Sequence, residues 1–273
     1  MTQAWKVAVV GAGGLGGALV RGLLAGRVAP TQLSVADLDV EKARNATGGS
    51  AARVVRSGKE AVEGADVVVL CVKPDGVAAA LNELEPGLRG DAVLISAAAG
   101  VTLKTLREEL GAKAVLVRAM PNVNVAVGHS MTALCAEPGH SGADEALQRA
   151  AWLFDQVGGT VRLSDEKLID PATALAASGP AWMAALLEAL MDGGVLAGLP
   201  REVAVQMALG MAEGTARHLR EKRLHPGALK DMVMSPGGTT AAGARLLEER
   251  GVRGALMSAV DAATTRARAL RGG

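Results

Sequence analysis

The chain has 273 residues, 49% of them hydrophobic, and a formal net charge of +1. This balance excludes a disordered chain and leaves no electrostatic footprint for nucleic acid. Three Trp, one Phe and no Tyr provide no base-stacking platform. Cys71 and Cys135 show no CxxC spacing and read as core thiols of a reducing cytosol.

Four apolar residues, Val7–Val10, make a short buried strand, and the chain reaches it almost at once, with no signal peptide before it. The expectation is a cytoplasmic protein. The turn Gly11-x-Gly13-x-x-Gly16 comes next, then the helical run Ala18–Leu24. Between a strand and a helix, this spacing is the dinucleotide fingerprint. One glycine permits the tight turn, the second lets the backbone approach a pyrophosphate, and the third lets the helix pack close. N–H groups at the helix start face the phosphates. Gly11, Gly13, Gly14, Leu15 and Gly16 are therefore the expected cofactor turn. Asp37 ends a second apolar run, Leu33–Ala36, and lies 21 residues after Gly16. A ribose-binding acid is expected about 20 residues on. The bland alternative is an ordinary glycine turn without a ligand.

Strand and helix signals then alternate. Asp66–Val72, Ala92–Ser96 and Ala114–Val117 are buried strands, with helical stretches around Gly76–Leu84 and Leu103–Leu110. Continuous apolar strands separated by helices mean a parallel sheet covered on both faces. Ligands of such sheets bind beyond the carboxyl ends of the strands. Three strand exits fall there: Val72-Lys73-Pro74, Ala98-Ala99-Gly100 and Pro121-Asn122. Each lines the nicotinamide side of the crevice or is an ordinary exit turn. Met131–Cys135 and Gly159–Leu163 extend the sheet, with the helix Ala143–Phe154 between them.

After Ser164 only helix-period runs follow: Glu166–Leu175, Trp182–Leu196, Arg201–Leu219, Ala241–Arg250 and Ala255–Leu270. The expected fold class is α/β, a mostly parallel N-terminal sheet followed by an all-helical C-terminal domain. The expected domains are 1–164, which holds the dinucleotide, and 165–273, which binds substrate and dimerises. Leu186, Leu187, Leu190, Met191, Val195 and Leu196 exceed one helical stripe, which calls for burial in a subunit interface. The weakly polar stretch Ala172–Leu187 reads as too short and too broken to span a bilayer.

Two loops stand out in this half. Ser178-Gly179-Pro180 interrupts a helical run, and Ser235-Pro236-Gly237-Gly238-Thr239-Thr240 precedes a helix. Free N–H groups at a helix start, with two Thr hydroxyls, form an anion site suited to a carboxylate. A linker with a Thr N-cap is the alternative. His129, His140, His218 and His225 show no metal spacing and read as surface or loop residues, so no metal is expected. The block Arg217, Arg220, Glu221, Lys222, Arg223 reads as a solvated helix end.

With both halves together, the chain resembles the pyrroline-5-carboxylate reductase family over nearly its whole length. The most specific part is Asp231–Thr240 with His225-Pro226 upstream. Ala174-Leu175 with Ser178-Gly179-Pro180-Ala181, and the three strand exits, match further family hallmarks. The resemblance implies a Rossmann domain followed by a helical domain that intertwines with a partner. It also implies reduction of the C=N bond of 1-pyrroline-5-carboxylate to L-proline by hydride from a nicotinamide cofactor. Gly237, Gly238, Thr239 and Thr240 are then the substrate carboxylate site. Thr240, Ser178 and Glu221 are the candidates to act at the reacting ring. NADH or NADPH is the implied cofactor, with NADH favoured by Asp37-Leu38, where NADP-using relatives carry Asn-Arg. Arg44 and Arg56 are alternative partners for a 2′-phosphate. The expected partners are a small cyclic imino acid and further copies of the chain, with no nucleic acid and no membrane.

The chain departs from the family in two places: Val123-Asn124 follow Pro-Asn, and Ala176-Ala177 precede Ser178. A related cyclic imine therefore stays open as substrate. The rivals are a β-hydroxyacid dehydrogenase with Lys167 as general acid, and a non-catalytic NAD(H)-sensing regulator. Asp170 in place of that dehydrogenase family's Asn counts against the first.

Overall fold

A computed structural model describes residues 5–26 and 28–271. The outer limits of the two expected domains, residues 1 and 273, lie outside the described residues. Eight strands form one sheet in the order β3-β2-β1-β4-β5-β6-β7-β8. They are β1 (Val7–Val10), β2 (Leu33–Ala36), β3 (Arg53–Val55), β4 (Val67–Leu70), β5 (Val93–Ser96), β6 (Val115–Met120), β7 (Ser130–Ala136) and β8 (Gly158–Arg162). The first six run parallel. β7 turns back antiparallel to β6, and β8 is parallel to β7. β1, β4 and β5 are buried at every position, as strands covered on both faces must be.

The covering helices form two layers. On one face lie α1 (Gly14–Ala25), α2 (Val40–Thr47) and α6 (Ala143–Phe154), which pack Leu19, Leu23, Ala43 and Phe154 against the sheet. On the other lie α3 (Gly58–Val62), α4 (Val77–Leu84) and α5 (Leu103–Leu110), contributing Val62, Leu81, Leu84 and Leu106. Local signals set these helices. The Thr102 hydroxyl caps α5 by accepting the Thr105 N–H at 3.0 Å, and Leu103, Leu106 and Leu110 make its buried stripe. β3 escapes a sequence reading because only Val54 and Val55 of it are apolar.

The chain then becomes helical: α7 (Ile169–Ala172), a π-helical turn (Thr173–Ala177), α8 (Gly179–Leu196), α9 (Arg201–Lys222), α10 (Pro226–Met232), α11 (Thr239–Glu249) and α12 (Val252–Arg271). Two expectations are corrected here. Ser178-Gly179-Pro180 is not a loop, and the apolar stretch it interrupts is not broken. Glu166–Leu196 is one helix of 31 residues, long and apolar enough by length and composition to cross a bilayer. The chain accommodates the proline with a π turn, in which the Ser178 N–H donates to the Thr173 carbonyl five residues back at 2.9 Å.

The chain divides into two compact units. One comprises the residues through Pro180 together with those from Ala262 on, and the other is Ala181–Asp261. Within the second unit most large apolar side chains are exposed. Val203, Met207 and Met211 stand one helical turn apart on α9 at 40%, 61% and 50% exposure. Leu196, at the end of α8, is 90% exposed.

Candidate active site

A crevice of about 530 Å³ opens at the carboxyl ends of β1, β2 and β4. Of the expected cofactor residues, Gly11, Gly13, Asp37, Val72 and Lys73 line it. The glycines there do different work. Gly11 has φ +95°, and a Cβ on it would stand 2.8 Å from the Cys71 carbonyl oxygen. A Cβ on Gly16 would meet the Gly11 carbonyl oxygen at 1.9 Å, so α1 sits against the turn only because that side chain is absent. A Cβ on Gly13 would meet open space, the room through which a pyrophosphate approaches the backbone. Gly14 and Leu15 form the first turn of α1, whose N–H groups have no partner within the helix. These residues fit a dinucleotide. Pro74 opens a short 3₁₀ turn, Pro74–Gly76, just past Lys73.

Asp37 lines the crevice at the end of β2. Its carboxylate accepts the Ala12 N–H at 2.6 Å and the Asp39 N–H at 2.9 Å, which fixes the end of β2 to the glycine turn. Sequence reading missed Glu83 on α4, which also lines the crevice. It accepts the Ser57 hydroxyl at 3.0 Å and the Gly58 N–H at 2.7 Å. Nothing in the surrounding α4 sequence marks it, since helix surfaces commonly carry Glu. Arg56 lines the crevice with no hydrogen bond or ion pair among the described residues, whereas Arg44 is tied to Glu41 at 2.6 Å. Burial pushes the Cys71 thiol up to about 12, so it stays protonated at neutral pH.

Ala98, Ala99 and Gly100 follow β5, and Pro121 and Asn122 follow β6, on the same carboxyl edge but beyond this crevice. Gly100 is left-handed (φ +78°), and a Cβ there would meet the Leu270 carbonyl oxygen at 2.9 Å, so the end of α12 packs on it. The adjacent Arg271 lies 3.2 Å from the buried Asp170 carboxylate. Pro121 and Asn122 are buried. The Asn122 amide donates to the Ala176 carbonyl at 2.9 Å and accepts the Asn124 N–H at 3.0 Å. Arg118, fully buried on β6, pairs with Glu166 at 2.9 Å, and the same carboxylate oxygen accepts the Leu103 N–H at 2.7 Å. Ser178 is half-buried, and its hydroxyl has no partner among the described residues. Lys167, the general acid of the rival reading, is exposed.

The second unit holds the remaining candidates. α11 begins at Thr239, two residues before the expected Ala241. The Gly238 N–H donates to the Ser235 carbonyl at 3.0 Å, so it is not the free donor that the sequence reading assigned to the carboxylate. The N–H groups of Thr239, Thr240 and Ala241 are the ones without an intrahelical acceptor, and the hydroxyls of Thr239 and Thr240 have no partner among the described residues. Gly237 supplies the left-handed turn before them at φ +69°. Glu221 lies on the exposed last turn of α9 and pairs with Arg217 at 2.7 Å. His225 caps α10, its ring nitrogen accepting the Gly227 N–H at 3.1 Å. Among the described residues no group of His, Cys, Asp or Glu is placed to hold a metal ion.

A doubly wound sheet with a glycine turn under an open crevice is the architecture of a dinucleotide-binding domain, and the family that its sequence matches makes it that of an oxidoreductase. Residues 6–100 match the family described as NADP oxidoreductase, coenzyme F420-dependent. Residues 166–270 match the pyrroline-5-carboxylate reductase dimerisation family. The chain is 39% identical over 269 residues to the pyrroline-5-carboxylate reductase of Arabidopsis thaliana, covering 98% of this chain and 96% of the relative. To that of Escherichia coli it is 35% identical over 256 residues, covering 93% and 94%. Among solved structures it is similar to the Coxiella burnetii pyrroline-5-carboxylate reductase, with TM-score 0.90, 30% identity and coverage of 98% and 99%. It is also similar to the Plasmodium falciparum pyrroline carboxylate reductase with NADP bound, with TM-score 0.85, 28% identity and 98% coverage of both. The chain belongs to the pyrroline-5-carboxylate reductase family. A likeness to a Mycobacterium tuberculosis 3-hydroxyisobutyrate dehydrogenase, at 15% identity and TM-score 0.52, shows the fold alone.

Proposed function

We propose that the protein reduces the C=N bond of 1-pyrroline-5-carboxylate to L-proline, the last step of proline biosynthesis. The observation that carries this reading is the glycine crevice on a chain similar over its full length to reductases of that name. The bound nicotinamide supplies the hydride. A protonated imine is already an electrophile, so the protein's task is to hold the two carbons in near-attack geometry. This agrees with a chain that presents no catalytic dyad. The N–H groups of Thr239, Thr240 and Ala241 and the hydroxyl of Thr240 hold the substrate carboxylate. Thr240 and Ser178, whose hydroxyls have no partner among the described residues, are the candidates to hydrogen-bond the imine nitrogen. Glu221 is the third candidate, facing the ring nitrogen once it is released from Arg217. The turn Gly11–Gly16 cradles the pyrophosphate. The exits Val72-Lys73-Pro74, Ala98-Ala99-Gly100 and Pro121 bound the nicotinamide, while the side chain of the adjoining Asn122, the other expected cofactor residue at that exit, turns into the chain toward the Ala176 carbonyl.

Each Asp37 oxygen keeps a lone pair beyond its backbone bond, enough to accept both ribose hydroxyls of NADH. Against the 2′-phosphate of NADPH it is a like charge, repelling by roughly 3 kcal/mol at about 5 Å in an effective dielectric near 20. We therefore assign a preference for NADH of roughly tenfold in kcat/KM, about 1.4 kcal/mol, with Arg56 as the cation that limits it. The exposed apolar helix faces between residues 166 and 271 are covered by a second copy in a dimer or larger homo-oligomer, working in the cytoplasm. Steady-state oxidation of NADH and NADPH with a panel of cyclic imines, with proline measured as product, tests the reading. Proline formed in step with NADH oxidised supports it. Turnover confined to imines other than 1-pyrroline-5-carboxylate overturns the substrate, and no turnover of any imine overturns the enzyme.

A further inference from the structure

The Ala176 carbonyl lies inside the Glu166–Leu196 helix, where its donor in α register would be residue 180. That residue is Pro180, which has no N–H. The carbonyl is satisfied from outside the helix: Asn122, one residue past Pro121 on the exit of β6, reaches it with its amide at 2.9 Å. Asn122 is itself rigidly held. Its N–H donates to the Ser130 hydroxyl at 3.2 Å, its side-chain oxygen accepts the Asn124 N–H at 3.0 Å, and its carbonyl accepts the Val125 N–H at 3.2 Å. The residue is buried, at 8% exposure. The missing donor of Pro180 and the amide of Asn122 are thus complementary across 54 residues of sequence. Between them stands the π turn, the Ser178 N–H bonded to the Thr173 carbonyl. A π turn shifts the helical phase of the residues after it, and such turns cluster at functional sites.

We infer that Asn122 is a positioning residue. It supplies the hydrogen bond that Pro180 cannot, and so locks the π turn that sets the orientation of the Ser178 hydroxyl beside the carboxyl edge of the sheet. This inference rests on the proposed imine reduction for its kinetic consequence, though not for its structural one. Asn122 therefore acts through the helix, its amide being committed inside the chain.

The test is a double-mutant cycle on the full-length protein. Asn122→Ala should lower kcat for 1-pyrroline-5-carboxylate about tenfold while the Kd for NADH, read by fluorescence, stays within twofold. Asn122→Asp, which keeps the acceptor for Asn124 and loses the donor, should match it and serves if the alanine variant does not fold. Pro180→Ala restores an N–H for the Ala176 carbonyl. In that background Asn122→Ala should reduce kcat no more than about twofold, and the loss of Tm on removing Asn122 should shrink in parallel. Equal losses in both backgrounds, in kcat or in Tm, would overturn the pairing. A Kd for NADH that rises with the fall in kcat would return Asn122 to the cofactor site. An unmodified protein that forms no proline would instead overturn the proposed function, while the Tm cycle would still decide the pairing.

Discussion

The sheet half and the helical half solve burial in opposite ways. β1, β4 and β5 are buried at every residue beneath two layers of helices, and a core of Val, Leu and Ile closes on itself. In Ala181–Asp261 the apolar residues stand outside: α8 has no buried residue and α9 only Ala204 and Ala208. Apolar content is comparable, but its placement is not. An uncovered apolar helix face of this extent is the kind of surface that marks an interaction site. In the proposed function, cofactor binding belongs to the part that folds around its own core, and self-association to the part that does not.

The largest expected effect breaks the first half at the glycine turn. Gly16→Val puts side-chain atoms onto the Gly11 carbonyl, where even a Cβ stands at 1.9 Å. Overpacking of this kind destabilises by about 1–3 kcal/mol. Felt at the turn, it weakens NADH binding by roughly 100-fold, equivalent to about 2.7 kcal/mol. Gly13→Ala sharpens the contrast, because its Cβ meets no atom of the chain. Thermal unfolding should leave Tm unchanged while NADH titration shows weaker binding.

Next in size is Thr240→Val. Losing one hydrogen bond to a charged group is worth on the order of 1.5–3 kcal/mol, roughly 10- to 150-fold in kcat/KM. The loss should fall on the carboxylated imine and spare unsubstituted 1-pyrroline. Equal losses on both substrates would move Thr240 from the carboxylate to the reacting nitrogen. Smaller again is the cofactor switch: Asp37→Asn with Leu38→Arg should reverse a roughly tenfold preference for NADH. Arg56→Ala alone should weaken NADPH more than NADH. An unmodified enzyme that prefers NADPH would show that Asp37 does not meet the ribose.

The smallest effect lies far from both sites. The Arg107 guanidinium holds the Glu137 carboxyl below the usual carboxylate range. A carboxylate depressed in the folded state adds stability above its unfolded pKa and loses it as pH falls through the folded one. Glu137→Gln should lower Tm at pH 7 by roughly 2–4 °C, the size of a 1 kcal/mol change in a chain this long, and the deficit should close on acidification.

The sheet was legible because its signals are local. Gly11, Gly13 and Gly16 have fixed spacing, and Val67–Leu70 and Val93–Ile95 are unbroken apolar runs. The exposed helix faces were legible too, since Leu186–Leu196 exceed one stripe. What escaped depends on residues far apart in sequence. Pro180 signals a break by itself, and only Asn122, reaching in from β6, shows how the helix continues through it. Glu83 enters the crevice because α4 packs beside α3, a pairing that no local pattern encodes. Gly238 was assigned a free N–H that Ser235 already accepts, a choice made by the turn geometry three residues away.

The contrast between the halves is tested most directly by sedimentation equilibrium of the intact protein at micromolar concentration, alone and as Met207→Glu. Met207 sits in the exposed stripe Val203-Met207-Met211. The expected result is a dimer or larger species with a concentration-dependent Tm, which the substitution shifts toward monomer while lowering the Tm and weakening its dependence on concentration. A stable monomer that still oxidises NADH with the imine would contradict it.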